Sequence, residues 1–471
     1  MHNNISHQQN HLLDDLETLS AEEQSIFLET LELCEFHLSK EVLNLQQTRE
    51  TNSDVSPLPS ELSTNLSLMN VIEKERLHKL GLSEINKGHV AVVIMAGGMG
   101  TRLGFEHPKG MYSIGLPSNK SLFQLHSEKV LALSRLVGSV GCLPLCIMTS
   151  PLNHTETVNY FKQHSYFGLP AESVHFFQQG TFPCFDSSGN VILESPGVIS
   201  RSPDGNGGIF AALDKSGLLR TLTDQNVCSY FVMSVDNALA LPAEPHFIGY
   251  CVEGKKKVAN LCIEKVDPNE SVGVVGLRDG LPHVIEYSEL DDSQRHSTSD
   301  DGHLSFNCAN VAMHYFHVDV ISSVLSGKFS MPLHLAHKKI PYWDSSSKRT
   351  VKPTVPNGFK LETFIFDAFR AVDSITEFGC LVHSRAEIFA PVKNPAVEGQ
   401  SDSAITARRM ILDLHAQWVK SCCETNVDTS GCCIEVSPLV SLFGDVPMLP
   451  ISGDGTYVIE NVDNQIVINK C

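Results

Sequence analysis

The sequence contains no apolar run as long as the roughly 18 residues that a membrane-spanning helix requires, so we expect no membrane partner. Its first ten residues are polar and lack the basic start and apolar centre of a secretory signal. Tryptophan is scarce, at 2 residues, and no segment is repeated along the chain, which argues against a repeat protein. Together these absences predict a cytoplasmic, non-repetitive protein.

Basic residues are also in short supply. The chain has 35 Lys and Arg against 54 Asp and Glu, which gives a formal charge of −19. Because binding nucleic acid requires spare cations to neutralise phosphates, we expect no nucleic-acid partner. A small anionic substrate is still compatible with this charge if a few cations are well placed.

Most of the 14 cysteines stand singly in apolar runs, as buried thiols of a reducing compartment do. Two doublets, Cys422-Cys423 and Cys432-Cys433, are the exception. They lack the two-residue spacer of zinc knuckles and no paired histidines follow them, which disfavours a metal site there.

The length of 471 residues predicts two or three domains. Residues 11–46 have helical apolar spacing, and Ser20 with Glu23 forms a typical capping box. Residues 47–66 are rich in Ser, Thr, Asn and Pro, which predicts a linker. We therefore assign residues 1–87 to an N-terminal helical segment.

Continuous apolar runs predict strands buried on both faces at His89–Met95, Leu143–Thr149 and Tyr230–Val235, with a helix over Leu122–Leu136. This alternation predicts a three-layer, Rossmann-like α/β domain with a mostly parallel sheet, which we assign to residues 88–395. Such sheets bind ligands at the carboxyl ends of their strands. Residues 396–471 are predicted to form a small β-rich domain that ends in a hairpin, Thr456–Val462 with Gln465–Asn469.

A glycine-rich segment follows the first of these strands. It runs Met95-Ala-Gly-Gly-Met-Gly-Thr-Arg-Leu-Gly104 and is followed by Pro108-Lys109. Glycines allow the backbone to approach a bulky anion, and amides freed by such a loop point at phosphate oxygens. Arg102 and Lys109 add cations that can reach along a polyphosphate. On its own, the loop is also compatible with a tight turn flanked by ordinary surface cations.

Two other glycine motifs fail on spacing. A dinucleotide fingerprint requires a glycine where this chain has Leu103, and the Gly-Lys-Ser/Thr of a P-loop is absent.

With the Pro-Lys that follows it, the segment resembles the signature of sugar-nucleotide pyrophosphorylases. Ten further segments resemble, in order, the eukaryotic UDP-N-acetylhexosamine pyrophosphorylases. They are His107-Pro-Lys-Gly-Met-Tyr-Ser-Ile-Gly-Leu-Pro-Ser118, Phe176-Phe-Gln-Gln-Gly180, Pro203-Asp-Gly-Asn-Gly-Gly208, Val235-Asp-Asn237, Gly273-Val-Val275, Val284-Ile-Glu-Tyr-Ser-Glu289, Phe306-Asn-Cys-Ala-Asn310, Pro356-Asn-Gly-Phe-Lys360, Pro391-Val-Lys-Asn394 and Thr406-Ala-Arg408.

The resemblance implies a nucleotidyltransferase that joins UTP to N-acetylglucosamine 1-phosphate, releasing UDP-N-acetylglucosamine and pyrophosphate. It also allows the N-acetylgalactosamine analogue. The sugar phosphate attacks the α-phosphorus in line, with Mg²⁺ or Mn²⁺ and no covalent intermediate. Positioning and charge stabilisation then supply the catalysis. The family reading is compatible with a monomer or a homodimer.

The resemblance also assigns roles to residues. The implied catalytic cations are Arg102, Lys109 and Lys393. UTP is assigned to Met95, Ala96, Gly97, Gly98, Lys109, Gln179, Gly205, Asp236 and Lys360, with Asp236 also holding the metal. The sugar is assigned to Asn206, Gly273, Glu286, Tyr287, Asn310 and Lys393.

Plainer interpretations of single residues stay open. Asp236-Asn237 is compatible with a simple turn, Glu286 with an acidic surface, and Lys360 with the polar face of a helix that includes Asp367 and Arg370. Ala309 stands where relatives usually carry glycine, and its Cβ is expected to crowd the sugar. Two further functions stay open, a UDP-glucose or broad-specificity UDP-sugar pyrophosphorylase and a non-catalytic UDP-sugar sensor.

Overall fold

The computed structural model of the chain describes residues 7–47, 54–138, 143–422, 432–447, 455–462 and 465–470. Internal contacts divide the chain into two compact units, each built from three separate segments. Unit 1 comprises Met1–Asp54, Gln179–Ala212 and Gly327–Ala368, and unit 2 comprises Val55–Gln178, Leu213–Ser326 and Phe369–Cys471. Each unit is described by itself below.

The helices and strands are numbered in chain order. The described α-helices are α1 (Ala21–Glu32), α2 (Leu38–Gln47), α3 (Val71–Asn86), α4 (Leu122–Val137), α5 (His154–Gln163), α6 (Ile209–Lys215), α7 (Leu218–Asp224), α8 (Pro245–Glu253), α9 (Asp292–Arg295), α10 (Val318–Leu325), α11 (Arg385–Ile388) and α12 (Ala404–Cys422). The described strands are β1 (Val55–Pro57), β2 (Ser63–Asn65), β3 (Val90–Met95), β4 (Leu145–Thr149), β5 (Val174–Gln178), β6 (Thr181–Pro183), β7 (Phe185–Asp186), β8 (Leu193–Ser195), β9 (Val198–Ile199), β10 (Arg201–Pro203), β11 (Ser229–Ser234), β12 (Val258–Glu264), β13 (Val274–Arg278), β14 (Leu281–Ile285), β15 (Cys308–His317), β16 (His334–Lys338), β17 (Tyr342–Asp344), β18 (Arg349–Val351), β19 (Gly358–Glu362), β20 (Phe378–His383), β21 (Cys432–Val436), β22 (Gly455–Val462) and β23 (Gln465–Lys470).

Unit 2 is built on one large sheet in the order β2-β20-β12-β15-β11-β3-β4-β5, with β13 joining β15, β14 and β1 at one side. Most neighbours along this path are parallel, as the buried apolar runs predict. β15 runs antiparallel to both β11 and β12. The mixed, mostly parallel α/β fold predicted from sequence is therefore confirmed, and its strands at β3, β4 and β11 lie within two residues of their predicted ends.

The core of unit 2 explains why these segments form strands. Val90, Val92 and Ile94 on β3 and Leu145 and Ile147 on β4 belong to one hydrophobic cluster and are almost completely buried. β-Branched and aliphatic side chains pack well on both faces of such a sheet, and each buried side chain contributes about 2 kcal/mol to folding. The helices α3, α4 and α8 contribute Ile85, Leu122 and Phe247, among others, to the same cluster.

Helices α3 and α8 pack closely through one glycine on each. A Cβ at Gly81 would overlap the carbonyl oxygen of Pro245, and a Cβ at Gly249 would overlap that of Leu77. Rigid backbone atoms therefore stand where any other residue would place a side chain. We infer that both positions are restricted to glycine by packing rather than by backbone conformation.

Replacing Gly249 with alanine is expected to lower the free energy of unfolding by about 3 kcal/mol, because the two helices must separate to admit the methyl group. Urea unfolding followed by circular dichroism measures this change. Gly254→Ala, just beyond the same helix, is the matched control. Its Cβ would meet the flexible Lys256 side chain at 3.0 Å and the Tyr250 carbonyl oxygen at 3.1 Å, which shifts of a few tenths of an ångström relieve, so a change of at most about 1 kcal/mol is expected. Equal losses in the two variants would contradict the packing argument.

Unit 1 combines the N-terminal helices with short strands from two later segments. Leu12, Phe27 and Val42 share a buried cluster with Phe185 and Leu361. The predicted capping box is confirmed: Ser20 Oγ accepts from the Glu23 amide at 3.3 Å, and Glu23 Oε2 accepts from the Ser20 amide at 2.8 Å. The strands form small antiparallel sheets, of which β16-β19-β7 is the largest. The predicted domain boundaries, at residues 1–87, 88–395 and 396–471, stay a prediction.

The small β-rich part at the C-terminus is present as the sheet β21-β22-β23, in which β22 and β23 form the predicted antiparallel hairpin. Val419 on α12 packs with Ile434, Val436 and Ile459 of this sheet. Of the two cysteine doublets, Cys423 lies outside the described residues. Among the described helices, none has the length and apolar character needed to cross a bilayer.

Candidate active site

The glycine-rich segment leaves the carboxyl end of β3 and folds back on itself through main-chain hydrogen bonds. The Gly100 amide donates to His107 O at 2.9 Å, and the Lys109 amide donates to Gly98 O at 3.1 Å. Gly98 has open space where a Cβ would lie, whereas a Cβ at Gly100 would meet Phe105 at 2.7 Å. The two main-chain hydrogen bonds thus close the segment into a loop. The space beside Gly98 is free of side chains, which is what a phosphate bound by backbone amides requires.

Asn153 fixes this loop from the neighbouring strand's end. Its Nδ2 donates to Ala96 O at 2.9 Å and to Gly98 O at 3.3 Å, while its Oδ1 accepts from the Ser150 amide at 2.8 Å. Asn153 is fully buried, so these bonds are shielded from water. The prediction from sequence missed this residue, although an asparagine four residues beyond a buried strand is a signal that could have found it.

Lys109 and Asp236 meet in an ion pair at the ends of two adjacent parallel strands. Lys109 Nζ lies 2.8 Å from Asp236 Oδ2, and Ser234 Oγ donates to the other carboxylate oxygen at 2.9 Å. Only 17% of the Lys109 side chain and 16% of the Asp236 side chain are exposed. Because β11 pairs with β3, Asp236 lies beside the glycine-rich loop. The structure therefore brings together the cation and the carboxylate that the sequence singled out.

Asn237, the next residue, ties the end of β11 to the segment that precedes Lys393. Its Nδ2 donates to Ile388 O at 2.8 Å, and its Oδ1 accepts from the Ala390 amide at 2.9 Å. The Val392 amide also donates to Asp236 O at 2.9 Å. Asp236-Asn237 is therefore more than a turn, because its main chain and side chains hold residues 388–392 in place.

Two further predicted cations, Arg102 and Lys393, are exposed. Arg102 lies on the turn Thr101–Leu103 that ends the glycine-rich loop, and the Lys393 amide donates to Asp402 O at 2.7 Å. Burial and the negative charge of Glu289 raise the pKa of Glu286. The positive charge of Lys393 lowers that pKa in part. Lys393 thus lies within electrostatic range of one residue assigned to the sugar.

The sugar-assigned residues of unit 2 gather where β13, β14 and β15 meet. The Asn310 amide donates to Gly273 O at 2.8 Å, and a Cβ on Gly273 would lie 3.4 Å from Glu286 Oε1. Tyr287 is 42% exposed beside Glu286. Because β15 runs antiparallel to β11, its first residues lie at the same sheet edge as the carboxyl end of β11. Asn310, near the start of β15, therefore lies at the same edge of the sheet as Asp236, which follows β11.

Ala309 is completely buried and belongs to the central hydrophobic cluster of unit 2. It pairs with Ile263 on β12 and with Val274 on β13. Its methyl group is thus part of the core. The expectation that it crowds the sugar stays a prediction.

In unit 1, Gln179, Gly205 and Asn206 form a second group. Gln179 Nε2 donates to Gly205 O at 2.7 Å, and Asn206 Oδ1 accepts from the Ile365 amide at 2.9 Å. Gly205 has φ +88°, and a Cβ there would overlap the Thr363 main chain. Glycine is therefore required at this position by both conformation and space.

Asp204 is a buried carboxyl group of unit 1 to which the sequence analysis gave no role. It is 7% exposed, and its carboxyl oxygens lie where a Cβ of Gly208 would stand. Burial raises the pKa of Asp204 to about 6, against the opposing effect of a hydrogen bond from Gln179. The motif Pro203-Asp-Gly-Asn-Gly-Gly208 could have indicated this burial, because neighbouring glycines allow the backbone to pack closely around an acidic side chain.

Because the pKa of Asp204 is higher in the folded chain, the stability it contributes is fully present below about pH 4 and is lost as the pH rises through about 6. Asp204→Asn is expected to remove this loss and to raise the free energy of unfolding at pH 7 by up to about 3 kcal/mol. Urea unfolding between pH 4 and pH 7 measures the difference from wild type.

Asp344→Asn in the same unit is the control for Asp204. A hydrogen bond from Ser347 lowers the pKa of that half-buried carboxyl, so its removal should change the pH profile in the opposite direction. A pH profile unchanged by Asp204→Asn would contradict the burial argument.

Lys360 lies on strand β19, paired with Ala336, and not on a helix. The helical interpretation was wrong because the short 3-10 helix begins only at Ile365. The neighbours Asn357 and Gly358 would disfavour a helix at this point. Among the described residues, no carboxylate lies within ion-pair distance of the Lys360 ammonium, which leaves it available to an anion.

The residues around Asp236 fit a hard divalent cation. Mg²⁺ in nucleotide sites is held by one or two protein carboxylates and completes its octahedron with phosphate oxygens and water. Asp236 supplies one such carboxylate at the strand end, and Ser234 orients it. Lys109 now occupies the second oxygen and would turn to phosphate when nucleotide and metal enter.

Comparison with known proteins places these groups in context. A family model for UTP–glucose-1-phosphate uridylyltransferases matches residues 36–417. The UDP-N-acetylglucosamine pyrophosphorylase of Saccharomyces cerevisiae is 38% identical over 93% of this chain and 90% of its own. A probable UDP-N-acetylglucosamine pyrophosphorylase of Schizosaccharomyces pombe is 39% identical over 85% of each chain. The crystal structure of the Trypanosoma brucei UDP-N-acetylglucosamine pyrophosphorylase superposes with a TM-score of 0.79 at 32% identity, covering 93% of this chain and 91% of that one.

The likeness covers nearly the whole chain and includes both the glycine-rich loop and the Asp236 strand end. The chain therefore belongs to the UTP–glucose-1-phosphate uridylyltransferase family, and within it to the group of the UDP-N-acetylhexosamine pyrophosphorylases.

Proposed function

We propose that the chain forms UDP-N-acetylglucosamine and pyrophosphate from UTP and N-acetylglucosamine 1-phosphate. An oxygen of the sugar phosphate attacks the α-phosphorus of UTP, and the bond from that phosphorus to the bridging oxygen of the β-phosphate breaks. Pyrophosphate leaves with the bonding electrons, and no enzyme residue is modified. The ion pair of Lys109 with Asp236 beside the glycine-rich loop carries this proposal, because it joins a phosphate cation to a metal carboxylate.

The residues of unit 2 provide charge where the reaction needs it. The amides from Met95 to Gly98 and the side chains of Arg102 and Lys109 bind and orient the UTP phosphates. Negative charge grows on the leaving pyrophosphate, and these preset donors and cations stabilise it more in the transition state than in the ground state. Lys393 neutralises the incoming sugar phosphate.

Asp236 would hold a divalent cation, Mg²⁺ or Mn²⁺, since both accept carboxylate, phosphate and water oxygens. When bound, the cation supplies charge neutralisation across the phosphates. Ser234 keeps the carboxylate oriented, and Asn237 holds the segment of chain next to it.

The remaining assignments concern recognition. In unit 1, Gln179 and Gly205 are assigned to the uracil, since an amide side chain offers both a donor and an acceptor. Lys360 is assigned to phosphate. Asn206 in unit 1 and Gly273, Glu286, Tyr287 and Asn310 in unit 2 are assigned to the sugar.

An assay of pyrophosphate release tests the proposal. The purified chain is mixed with UTP, Mg²⁺ and, separately, the 1-phosphates of N-acetylglucosamine, N-acetylgalactosamine and glucose. We expect kcat/KM to be at least about tenfold higher for N-acetylglucosamine 1-phosphate than for glucose 1-phosphate, because the latter leaves polar groups of the sugar site unpaired. The reverse order would favour a UDP-glucose pyrophosphorylase instead, and binding of UDP-sugar without turnover would favour a sensor.

A cytoplasmic location and a monomeric or homodimeric state belong to the same proposal. The cysteines placed singly in apolar runs support the location, and either oligomeric state is compatible with the family. Light scattering of the purified chain measures the mass in solution.

A further inference from the structure

A cavity of about 210 Å³ lies within unit 2 and carries polar groups that the proposed reaction does not use. Its walls are mostly apolar and include Leu239, Ile388 and Trp418. Glu244, His246 and His383 face it together, and their ligand atoms all lie within 4.8 Å of one another. Imidazole and carboxylate are the donors that zinc-type cations favour.

The carboxylate of Glu244 is ready to bind a cation. It is 2% exposed and caps α8, accepting from the amides of His246 at 3.1 Å and Phe247 at 2.7 Å. His246 Nδ1 lies 2.7 Å from the same carboxylate. An ionised carboxylate has about four acceptor positions, so three hydrogen bonds leave one free. A buried negative charge of this kind is stabilised by a cation.

His383 lies beside Glu244 and His246 and has a ring nitrogen without a hydrogen bond among the described residues. It is the last residue of β20, is 8% exposed, and its buried Nδ1 makes no hydrogen bond within the described part of the chain. Glu387 Oε2 lies 3.5 Å from that nitrogen. At this distance the two groups form no hydrogen bond, and a small approach of Glu387 would complete the carboxylate–histidine pair that commonly orients the other ring nitrogen toward a metal.

We propose that Glu244, His246 and His383 form a second divalent metal site, of the zinc type, separate from the glycine-rich loop and Asp236. Tetrahedral coordination at about 2.0–2.1 Å places ligand atoms roughly 3.3 Å apart, so the side chains must turn inward on binding. His246, at 21% exposure, has the freedom to do so. The cavity leaves room for water as a fourth ligand.

The site would join α8 to β20 and α11. Glu244 and His246 belong to the start of α8, whereas His383 and Glu387 belong to the segment that continues to Lys393. A metal held there stabilises the folded chain, because the ligands are brought together only by folding.

Cobalt binding tests the proposal, since Co²⁺ in a tetrahedral site absorbs visible light. The full chain is freed of metal with a chelator and titrated with Co²⁺ in excess Mg²⁺, which competes for the Asp236 carboxylate. We expect one equivalent of tetrahedral Co²⁺ that Zn²⁺ displaces, and a loss of this signal in His246→Ala/His383→Ala. Glu387→Gln is expected to weaken binding about tenfold.

His89→Ala is the matched control, because His89 Nδ1 also lies 2.7 Å from a carboxylate, that of Glu84. It should leave the cobalt spectrum unchanged. Equal binding by wild type and the double variant would overturn the proposal.

Anomalous scattering from wild-type crystals grown with one equivalent of Zn²⁺ keeps the test independent of the variants' folding. A zinc peak bonded to both imidazoles supports the site, and a peak elsewhere or none rejects it.

Discussion

Lys109→Ala is expected to lower kcat for pyrophosphate release by about 1,000-fold, with only a small change in the KM for the sugar phosphate. The sequence predicted this lysine as a phosphate cation, and the structure holds its Nζ 2.8 Å from Asp236, the proposed metal ligand. Its charge is nearly enclosed, so its attraction for a developing phosphate charge is weakly screened by water. Steady-state kinetics with UTP and N-acetylglucosamine 1-phosphate measure the loss.

The fold is expected to survive this change. Asp236 keeps its hydrogen bond from Ser234 and gains access to solvent, so the thermal midpoint should shift little. Lys257→Ala is the control, because Lys257 also forms an ion pair, with Glu377 at 3.1 Å, but is assigned no part in the reaction. If the two lysine variants lost the same small fraction of activity, the phosphate role of Lys109 would be rejected.

Asp236→Asn should produce the second large effect, a fall in kcat of about 100-fold to 1,000-fold and a higher Mg²⁺ concentration for half-maximal rate. The amide has the shape of the carboxylate but lacks its charge, so the divalent cation loses its protein ligand while the hydrogen bonds of Asn237 remain. Initial rates across a Mg²⁺ titration measure both quantities.

Ser234→Ala separates the carboxylate's charge from its orientation. It removes one hydrogen bond to Asp236 and is expected to cost less than about tenfold in rate. A Mg²⁺ dependence in Asp236→Asn identical to that of wild type would place the metal on other residues.

The sheet of unit 2 could be predicted from sequence because its strands are buried on both faces. β3, β4 and β11 are short, continuous apolar runs, whereas a helix that packs on one face of a sheet has apolar residues on only one side. Glycine or polar residues follow each run closely and mark the end of the strand. Asp236 followed from the same logic, as a polar residue at the end of such a run. The local pattern of apolar residues was sufficient to predict a strand wherever that strand is buried on both faces.

Lys360 shows where that logic fails. Its segment has polar and apolar residues at a spacing compatible with a helix, but Gly358–Glu362 pairs with a strand 24 residues earlier in the chain. Long-range pairing of this kind leaves no local trace. The same holds for Asn237, whose role depends on carbonyl and amide groups of a distant segment, whereas Asn153 is marked by its position four residues beyond β4.

The sequence also did not indicate which segments of the chain form each of the two units. Helices within residues 7–47 share a core with residues 179–212 and 327–368, and the strands of the two later segments have only two to five residues each. Such strands carry too few alternating positions to indicate their partners. The position of Asn310 at the start of an antiparallel strand was likewise not accessible, because strand direction within a sheet is a property of the whole fold.

The bonds that Asn237 makes with Ile388 and Ala390 have a consequence for how such an enzyme can diverge. Asp236, on one side of them, and Lys393, on the other, are anchored to a common piece of backbone, so a substitution that displaces either one displaces its neighbour as well. With Asp236 as the proposed metal ligand and Lys393 as the proposed cation for the sugar phosphate, we expect substitutions within residues 388–393 that alter sugar preference to change the Mg²⁺ requirement as well.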